Sequence, residues 1–339
     1  MTAVAAASWV ALARGGVDRA GHTLGTDFIA FWTAARFFTT GGDPALAYND
    51  VVHQAAQQAL FPGADVGYTA FDYPPTYLLI CAPLGLLPYF PALLTWLAVT
   101  GLAYWRVVRA WAGGVFPVTL GALAFPAVLI NLGHGQNAFL TTALFGAGAL
   151  WLPRRPFLAG LCFGLLTFKP HLGLLIPFGL LAAWQWRAIA GAVLGATALA
   201  GAATAVFGLG VWAGFLKVAL MARGIVGGDF LHPGKIQSVF GALRLWHVPA
   251  PAAYAVQGLV ALAAAAAVVA VARRRGADRA LGPLLIAASV VATPYILDYD
   301  LVLLAVPIAW LLSEALSTRF LPGEKLAMVA AFVLPLVSR

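Results

Sequence analysis

The stretch Pro251–Ala272, PAAYAVQGLVALAAAAAVVAVA, runs directly into RRRGADR (Arg273–Arg279), and its reading decides the kind of chain this is. A helix rises about 1.5 Å per residue, so roughly 20 apolar residues cross the hydrocarbon core of a bilayer. A run of that length, ending on a cluster of arginines, reads as a membrane span that stops at a charged surface.

The same pattern recurs on both sides of it. Apolar runs lie at about 77–103, 115–131, 138–152, 157–169, 171–186, 188–208, 281–297 and 300–313, with shorter ones at about 1–13 and 326–337. Of the 339 residues 62% are hydrophobic and 9% charged, where a soluble domain carries about 25% charged residues. No soluble core of this size hides so much apolar surface. The expectation is an all-α polytopic membrane protein with about ten crossings, forming a single transmembrane domain over 1–339. The run at 1–13 has no charged start and no small-residue cleavage motif, so no cleavable leader is expected.

The net charge of +8 points to topology rather than to nucleic acid, because the cations form no continuous stripe. Arg106 and Arg109, Arg154 and Arg155, Arg187, the Arg273–Arg279 group, and Arg319 with Lys325 fall on alternate connections. The positive-inside rule assigns that side to the cytoplasm of a cell inner (plasma) membrane. The opposite connections are 14–76, 132–137, the turn at Lys169–His171, 209–250 and 294–300. They hold Asp18, Asp27, Asp43, Asp50, Asp65, Asp72, Asp229, Asp298 and Asp300. Cys81 and Cys162 sit in apolar segments and suggest neither a disulfide framework nor a metal site.

Two outer loops are long enough to carry function, 14–76 and 209–250. Residues 28–40 and 44–60 alternate apolar and polar groups at helical spacing around a GGDP breaker. Residues 209–224 and 236–247 mix Trp212, Phe215 and Trp246 with cations, as helices lying in an interface do.

Ionisable groups at membrane depth need a partner, a water-filled cavity or a task. Asp27 lies in LGTDFIAFWTAARFF (Leu24–Phe38), Asp72 and Tyr73 in FDYPPTYLL, and His134 in NLGHGQN (Asn131–Asn137). Lys169 and His171 flank Pro170 in LLTFKPHLGLL; DFLHPGKIQS (Asp229–Ser238) and TPYILDYD (Thr293–Asp300) complete the set. Plain readings stand beside functional ones. Pro74–Pro75 suits a helix start, Asp43 a turn or cap, and His134 and Asn131 the backbone of a tight turn. Lys217 and Lys235 suit interfacial cations, and Asp298 and Asp300 solvated loop acids. Lys169 is harder to dismiss: a buried lysine wants an anion, and a phosphate is a compact one.

A carboxylate near cations and imidazoles at a membrane surface suits glycosyl transfer from a lipid-phosphate sugar. A carboxylate base takes the proton of the acceptor hydroxyl, and cations steady the departing phosphate. The alternative is a multi-pass transporter or flippase for a lipid-linked sugar or small anion, which would place its charges nearer the midplane, with paired repeats. No repeat is visible, and the polar groups gather at one face.

The segments TDFIAFWTAARFFTTGGDPALAY, YPPTYLLICAPLGLLP, GQNAFLTTALFGAGAL, AGLCFGLLTFKPHLGLLIP and TPYILDYDL, in that order, resemble glycosyltransferase family 87. These are bacterial polyprenol-phosphate-mannose-dependent mannosyltransferases of the GT-C superfamily, and the similarity runs over roughly 25–305. The resemblance implies a GT-C fold with amphipathic helices in the outer loops and an inverting, metal-independent reaction without cofactor. A polyprenyl-phosphate-sugar donor, most simply mannose, and a lipid or glycan acceptor of the cell envelope would be its partners, with membrane lipids around it. By that resemblance Asp27 matches the general base, Gln136 and Asn137 the GQN motif, and Lys169 and Pro170 the KP motif. Ile236–Ser238 resembles an Asn-Gln-Ser stretch with Ile in place of Asn, which marks Gln237, and His232 stands just before it as a phosphate ligand. The expected division of labour puts Lys169, His232 and Lys235 on the donor phosphate. Tyr73, Gln136, Asn137, His171, Gln237 and Asp298 would serve the sugar or acceptor.

Overall fold

In the computed structural model the described residues are Val17, 23–63, 66–227 and 235–337. The run at 1–13, and Asp18, Asp65, Asp229 and His232, lie outside the described residues. The order is α1 (Phe28–Thr39), α2 (Asp50–Leu60), α3 (Pro75–Cys81), α4 (Tyr89–Trp111), α5 (Phe116–Leu123), α6 (Pro126–His134), α7 (Ala138–Trp151) and α8 (Pro156–Leu165). Then follow α9 (Ile176–Ala182), α10 (Trp186–Phe207), α11 (Gly210–Gly227), α12 (Val239–Leu245), α13 (Ala250–Arg275), α14 (Leu281–Ala292), α15 (Ala305–Ser317) and α16 (Glu324–Val337). Among the described residues, β-structure is limited to the isolated bridges Val17–Thr23 and Ile236–Leu297.

Among the described residues, four stretches are long and apolar enough to cross a membrane: Tyr89–Trp111, Trp186–Phe207, Ala250–Arg275 and Asp298–Ser317. The bent pair α5–α6, with a 46° break, makes a fifth if counted as one span. The outward faces support this, with Leu94, Val99, Leu259 and Leu262 each more than 60% exposed, a pattern that water does not favour but lipid does. The other expected spans are shorter helices. The 14 residues of α7 reach about 21 Å, less than the roughly 30 Å of a hydrocarbon core. Proline sets these breaks: Pro156 starts α8, and Pro170 and Pro177 sit in the first turns of the short helices after Phe168.

By contacts, the chain divides into two units. The first comprises Met1–Thr100, Leu129–Asn137 and Ala198–Ile225. Its centre is α1, whose residues Phe28–Ala35 are all buried. The sequence suggested a helix with alternating apolar and polar groups. Instead, apolar or small side chains surround its first two turns, so every face packs against protein. Phe31 meets Phe71, Tyr73 and Tyr77 edge-on at 5.0–6.4 Å. The turn at Ala82–Leu86 approaches closely enough that a Cβ on Gly85 would lie 2.8 Å from the Ala35 carbonyl oxygen. The Gly85 carbonyl accepts from the Arg36 guanidinium at 3.1 Å, and Arg36 also lies over the Trp32 ring. Arg36 therefore fastens α1 to this turn.

Helix α2 is amphipathic in an unusual sense, with Val51 exposed and His53 and Gln57 buried. Those polar groups are tied down. His53 Nε2 contacts the Ala30 carbonyl at 3.2 Å, while Gln57 donates to the Thr69 carbonyl at 2.7 Å and accepts from its N–H at 3.1 Å. Burial lowers the His53 pKa to about 4, against the opposing pull of the Ala30 carbonyl and Asp50. The helix lies outside the candidate spans. Above pH ~6.5 both folded and unfolded forms are neutral; below it the unfolded chain takes up a proton that the folded one refuses until about pH 4. Stability is therefore expected to fall with pH between about 6.5 and 4, at up to ~1.4 kcal/mol per pH unit. In detergent unfolding curves taken across that range, His53→Gln should flatten the dependence.

The second unit comprises Gly101–Val128, Ala138–Thr197 and Val226–Arg339. In it, α8 and α10 approach backbone to backbone. A Cβ on Gly160 would stand 2.0 Å from the Ala188 carbonyl oxygen, and one on Gly164 2.3 Å from that of Ala192. On the facing side, a Cβ on Gly191 would stand 2.2 Å from the Phe157 carbonyl oxygen. Glycines four residues apart on each helix thus let the backbones touch, the small-residue packing that holds helices together in lipid. Gly160→Leu is expected to cost at least about 1–3 kcal/mol by forcing the helices apart. Thermal unfolding in detergent checks this, with Gly201→Leu as a near-neutral control because no atom lies within 4 Å of its Cβ position.

Nearby, α13 carries the buried Gln257 in its apolar length. Its amide donates to the Val291 and Ala292 carbonyls at 2.9 and 3.1 Å and accepts from Phe240 N–H at 3.0 Å. A lone polar group in an apolar helix is costly unless satisfied. Here it caps the end of α14 and secures the start of α12.

Candidate functional site

In the first unit the chemistry gathers where α1 begins. Asp27 occupies the N-cap position, yet its side chain makes no capping hydrogen bond. The carboxylate turns instead to the segment after α6. Gln136 Nε2 donates to its Oδ2 at 3.1 Å, and His134 Nδ1 lies 3.4 Å from its Oδ1. The Thr26 hydroxyl is 2.6 Å from the same imidazole nitrogen. The backbone fixes this pairing: Asp27 N–H donates to the His134 carbonyl at 3.0 Å and Gly25 N–H to that of Gly133 at 3.2 Å. Gly135 allows the turn with φ +64°; a Cβ there would lie 2.7 Å from that of Phe28. The Gln136 amide oxygen accepts from Tyr73 OH at 3.3 Å and from Asn137 N–H at 2.7 Å. Its orientation is thereby set, with the NH₂ group aimed at Asp27.

The result is a carboxylate held on both oxygens while remaining 20% exposed, beside an imidazole 26% exposed. A purely structural N-cap would bond its own helix. This one instead turns away from its helix to Gln136 and His134.

The second unit holds another cluster. Lys169 stands between the short 3₁₀ turns Leu166–Phe168 and Pro170–Gly173. It is buried, and its ammonium donates to Asp300 Oδ1 at 2.5 Å. The Tyr299 ring lies 5.2 Å from Nζ. Asp300 belongs to the turn Asp298–Leu304, in which Asp298 accepts from Tyr299 N–H at 2.8 Å. The His171 ring stands edge-on to Tyr295 at 6.5 Å. The Ile236–Ser238 strand piece docks alongside: Gln237 N–H donates to the Ile296 carbonyl at 2.7 Å and the Ser238 hydroxyl to that of Pro294 at 2.7 Å.

Asp27, Tyr73, Gln136 and Asn137 therefore come together in the first unit. Lys169, His171, Asp298 and Gln237 belong to the second, with Lys235 exposed. His232 lies outside the described residues. Two further sequence readings are met by geometry: Asp43 caps the turn at Pro44–Tyr48 by accepting from Ala45 N–H at 2.8 Å, and Pro75 opens α3. The sequence did not single out His134 or Thr26 as neighbours of Asp27, although His134 stood in the quoted turn. Nor did it identify Asp300 as the partner of Lys169. Among the described residues no group of three or more His, Cys, Asp or Glu side chains converges to hold a metal ion.

The model of glycosyltransferase family 87 matches residues 71–297, a stretch that includes Tyr73, His134, Gln136, Lys169 and Gln237. No curated protein and no solved structure matches the chain. A match over more than half the chain, on a helical membrane architecture, shows that this protein belongs to glycosyltransferase family 87, a family of membrane glycosyltransferases.

Proposed function

We propose that the protein moves a sugar, mannose in the first instance, from a polyprenyl-phosphate donor to a lipid or glycan acceptor on the extracytoplasmic face of the inner membrane. The observation that carries this reading is the Asp27 carboxylate, held by Gln136 and His134, left uncapped by its own helix and reachable from outside. Asp27 is the general base. It takes the proton of the acceptor hydroxyl, whose oxygen attacks the anomeric carbon as the bond to the lipid phosphate breaks, with inversion. His134 and Gln136 keep the carboxylate aimed.

Tyr73, Asn137, His171, Gln237 and Asp298 are proposed for sugar or acceptor hydroxyls. Lys169, Lys235 and His232 are proposed for the departing phosphate. Lys169 already donates to Asp300, and an ammonium carries three donors, so the same group can also meet a phosphate oxygen. The proposed scaffold is a GT-C fold in which the short apolar helices add to the long spans and bring the count towards ten.

Incubating the purified protein with radiolabelled polyprenyl-phosphate mannose and a panel of membrane-lipid acceptors tests the reading. Chloroform-soluble label in a new glycolipid supports it. The buried Lys169–Asp300 pair favours the second reading, a transporter or flippase, because such pairs also mark ion pathways. Uptake into vesicles with no transfer to any acceptor would favour that reading.

A further inference from the structure

The two clusters above leave out a third concentration of charge, in the second unit. A cavity of about 540 Å³ is lined by Leu150, Trp151, Pro153, Arg154, Arg155 and Arg279. Its cations come from separate connections, the turn after α7 and the turn after α13. All three arginines are exposed, and none has a carboxylate within ion-pair distance among the described residues. The acid nearest in sequence, Asp278, is engaged elsewhere. It pairs with Arg275 at 2.7 Å and accepts from Ala280 and Leu281 N–H at 3.0 and 3.2 Å.

Arg279 is also held in place. Its guanidinium lies over the Trp111 ring at 5.6 Å, and its Nη2 reaches the Ala110 carbonyl at 3.5 Å. A topological charge needs only to lie beyond the end of a span. It needs neither a cavity shared between two loops nor a stacked, oriented guanidinium.

We infer that this cavity binds the phosphate-bearing headgroup of an anionic membrane phospholipid. Guanidinium groups grip phosphate oxygens in pairs, which suits a phosphodiester better than diffuse attraction does. The source is a lipid rather than a soluble anion because Trp151 in the lining, and Phe157 and Leu158 two and three residues after Arg155, are about 40% exposed. Aromatic and apolar side chains of that kind sit at headgroup level, where acyl chains can continue along the helices. The site is independent of the proposed transfer chemistry and faces the side expected to be cytoplasmic.

Native mass spectrometry of the delipidated full-length protein tests it, with phosphatidylglycerol and phosphatidylcholine titrated in the same detergent. One phosphatidylglycerol should bind more tightly than phosphatidylcholine. In the variant R154Q/R155Q/R279Q that preference should weaken about 100-fold, at roughly tenfold or less per cation. Arg187→Gln removes an exposed cation outside the cavity lining and should change the preference by less than twofold. Should the triple variant fold poorly, Arg155→Lys keeps the charge, loses the paired grip, and should still weaken binding severalfold. Equal losses in Arg187→Gln, an unchanged triple variant, or full competition by millimolar glycerol phosphate would each overturn the inference.

Discussion

Asp27→Asn is expected to lower the turnover number for sugar transfer by about 10²–10⁴-fold, the usual contribution of a general base, with little change in fold or donor affinity. Asparagine is the informative replacement because it preserves shape. It can still accept from Gln136 and still face His134 and Thr26, so the turn that joins α1 to the 131–137 segment stays closed. What it loses is the capacity to take a proton. Alanine would also remove the tether between Gln136 and the start of α1, and would mix chemistry with folding. In the same series, His134→Gln should reduce turnover less than Asp27→Asn, because the imidazole touches the carboxylate and acts through it. The measurement is initial-rate transfer with polyprenyl-phosphate mannose across pH, beside unfolding curves of each variant. An Asp27→Asn protein that transfers at the wild-type rate removes the residue from the base role.

The sequence showed the medium of this protein more clearly than its contacts. Apolar runs such as 251–272 are long enough to declare a membrane span by themselves, and the structure has a 26-residue helix there. Where proline interrupts a run, composition stays apolar while the helix ends. The expected span at 171–186 is in fact a 3₁₀ turn at Pro170–Gly173 and the seven-residue α9. Helix α1 shows a different limit. Nothing in one dimension shows that its Trp32 packs edge-on against Tyr89 and donates to the Leu87 carbonyl, or that its Arg36 fastens to the Gly85 carbonyl. Partners far along the chain were the least legible. Gln136 reaches Asp27 across 109 residues and Lys169 reaches Asp300 across 131, and nothing in local spacing encodes either pairing. Charge scarcity did say that each of these groups needed a partner. It could not say which.

That limit is sharpest at Lys169, where the second large effect is expected. Lys169→Met and Asp300→Leu should each destabilise the protein by about 3–5 kcal/mol, because each leaves the other's charge buried without its partner. The double variant should recover most of that loss, since two apolar side chains of similar volume can fill the place of a buried pair. Unfolding in detergent of the two single variants and the double one measures this coupling directly. The same proteins then separate structure from chemistry. If Lys169 also meets the donor phosphate, the double variant folds yet transfers poorly, with the KM for the polyprenyl-phosphate donor raised. If the double variant folds and transfers like the wild type, the lysine belongs to the scaffold alone, and the phosphate falls to other cations. The pair thus tests whether a buried charge holds the fold together or works on the substrate, and one double substitution distinguishes the two.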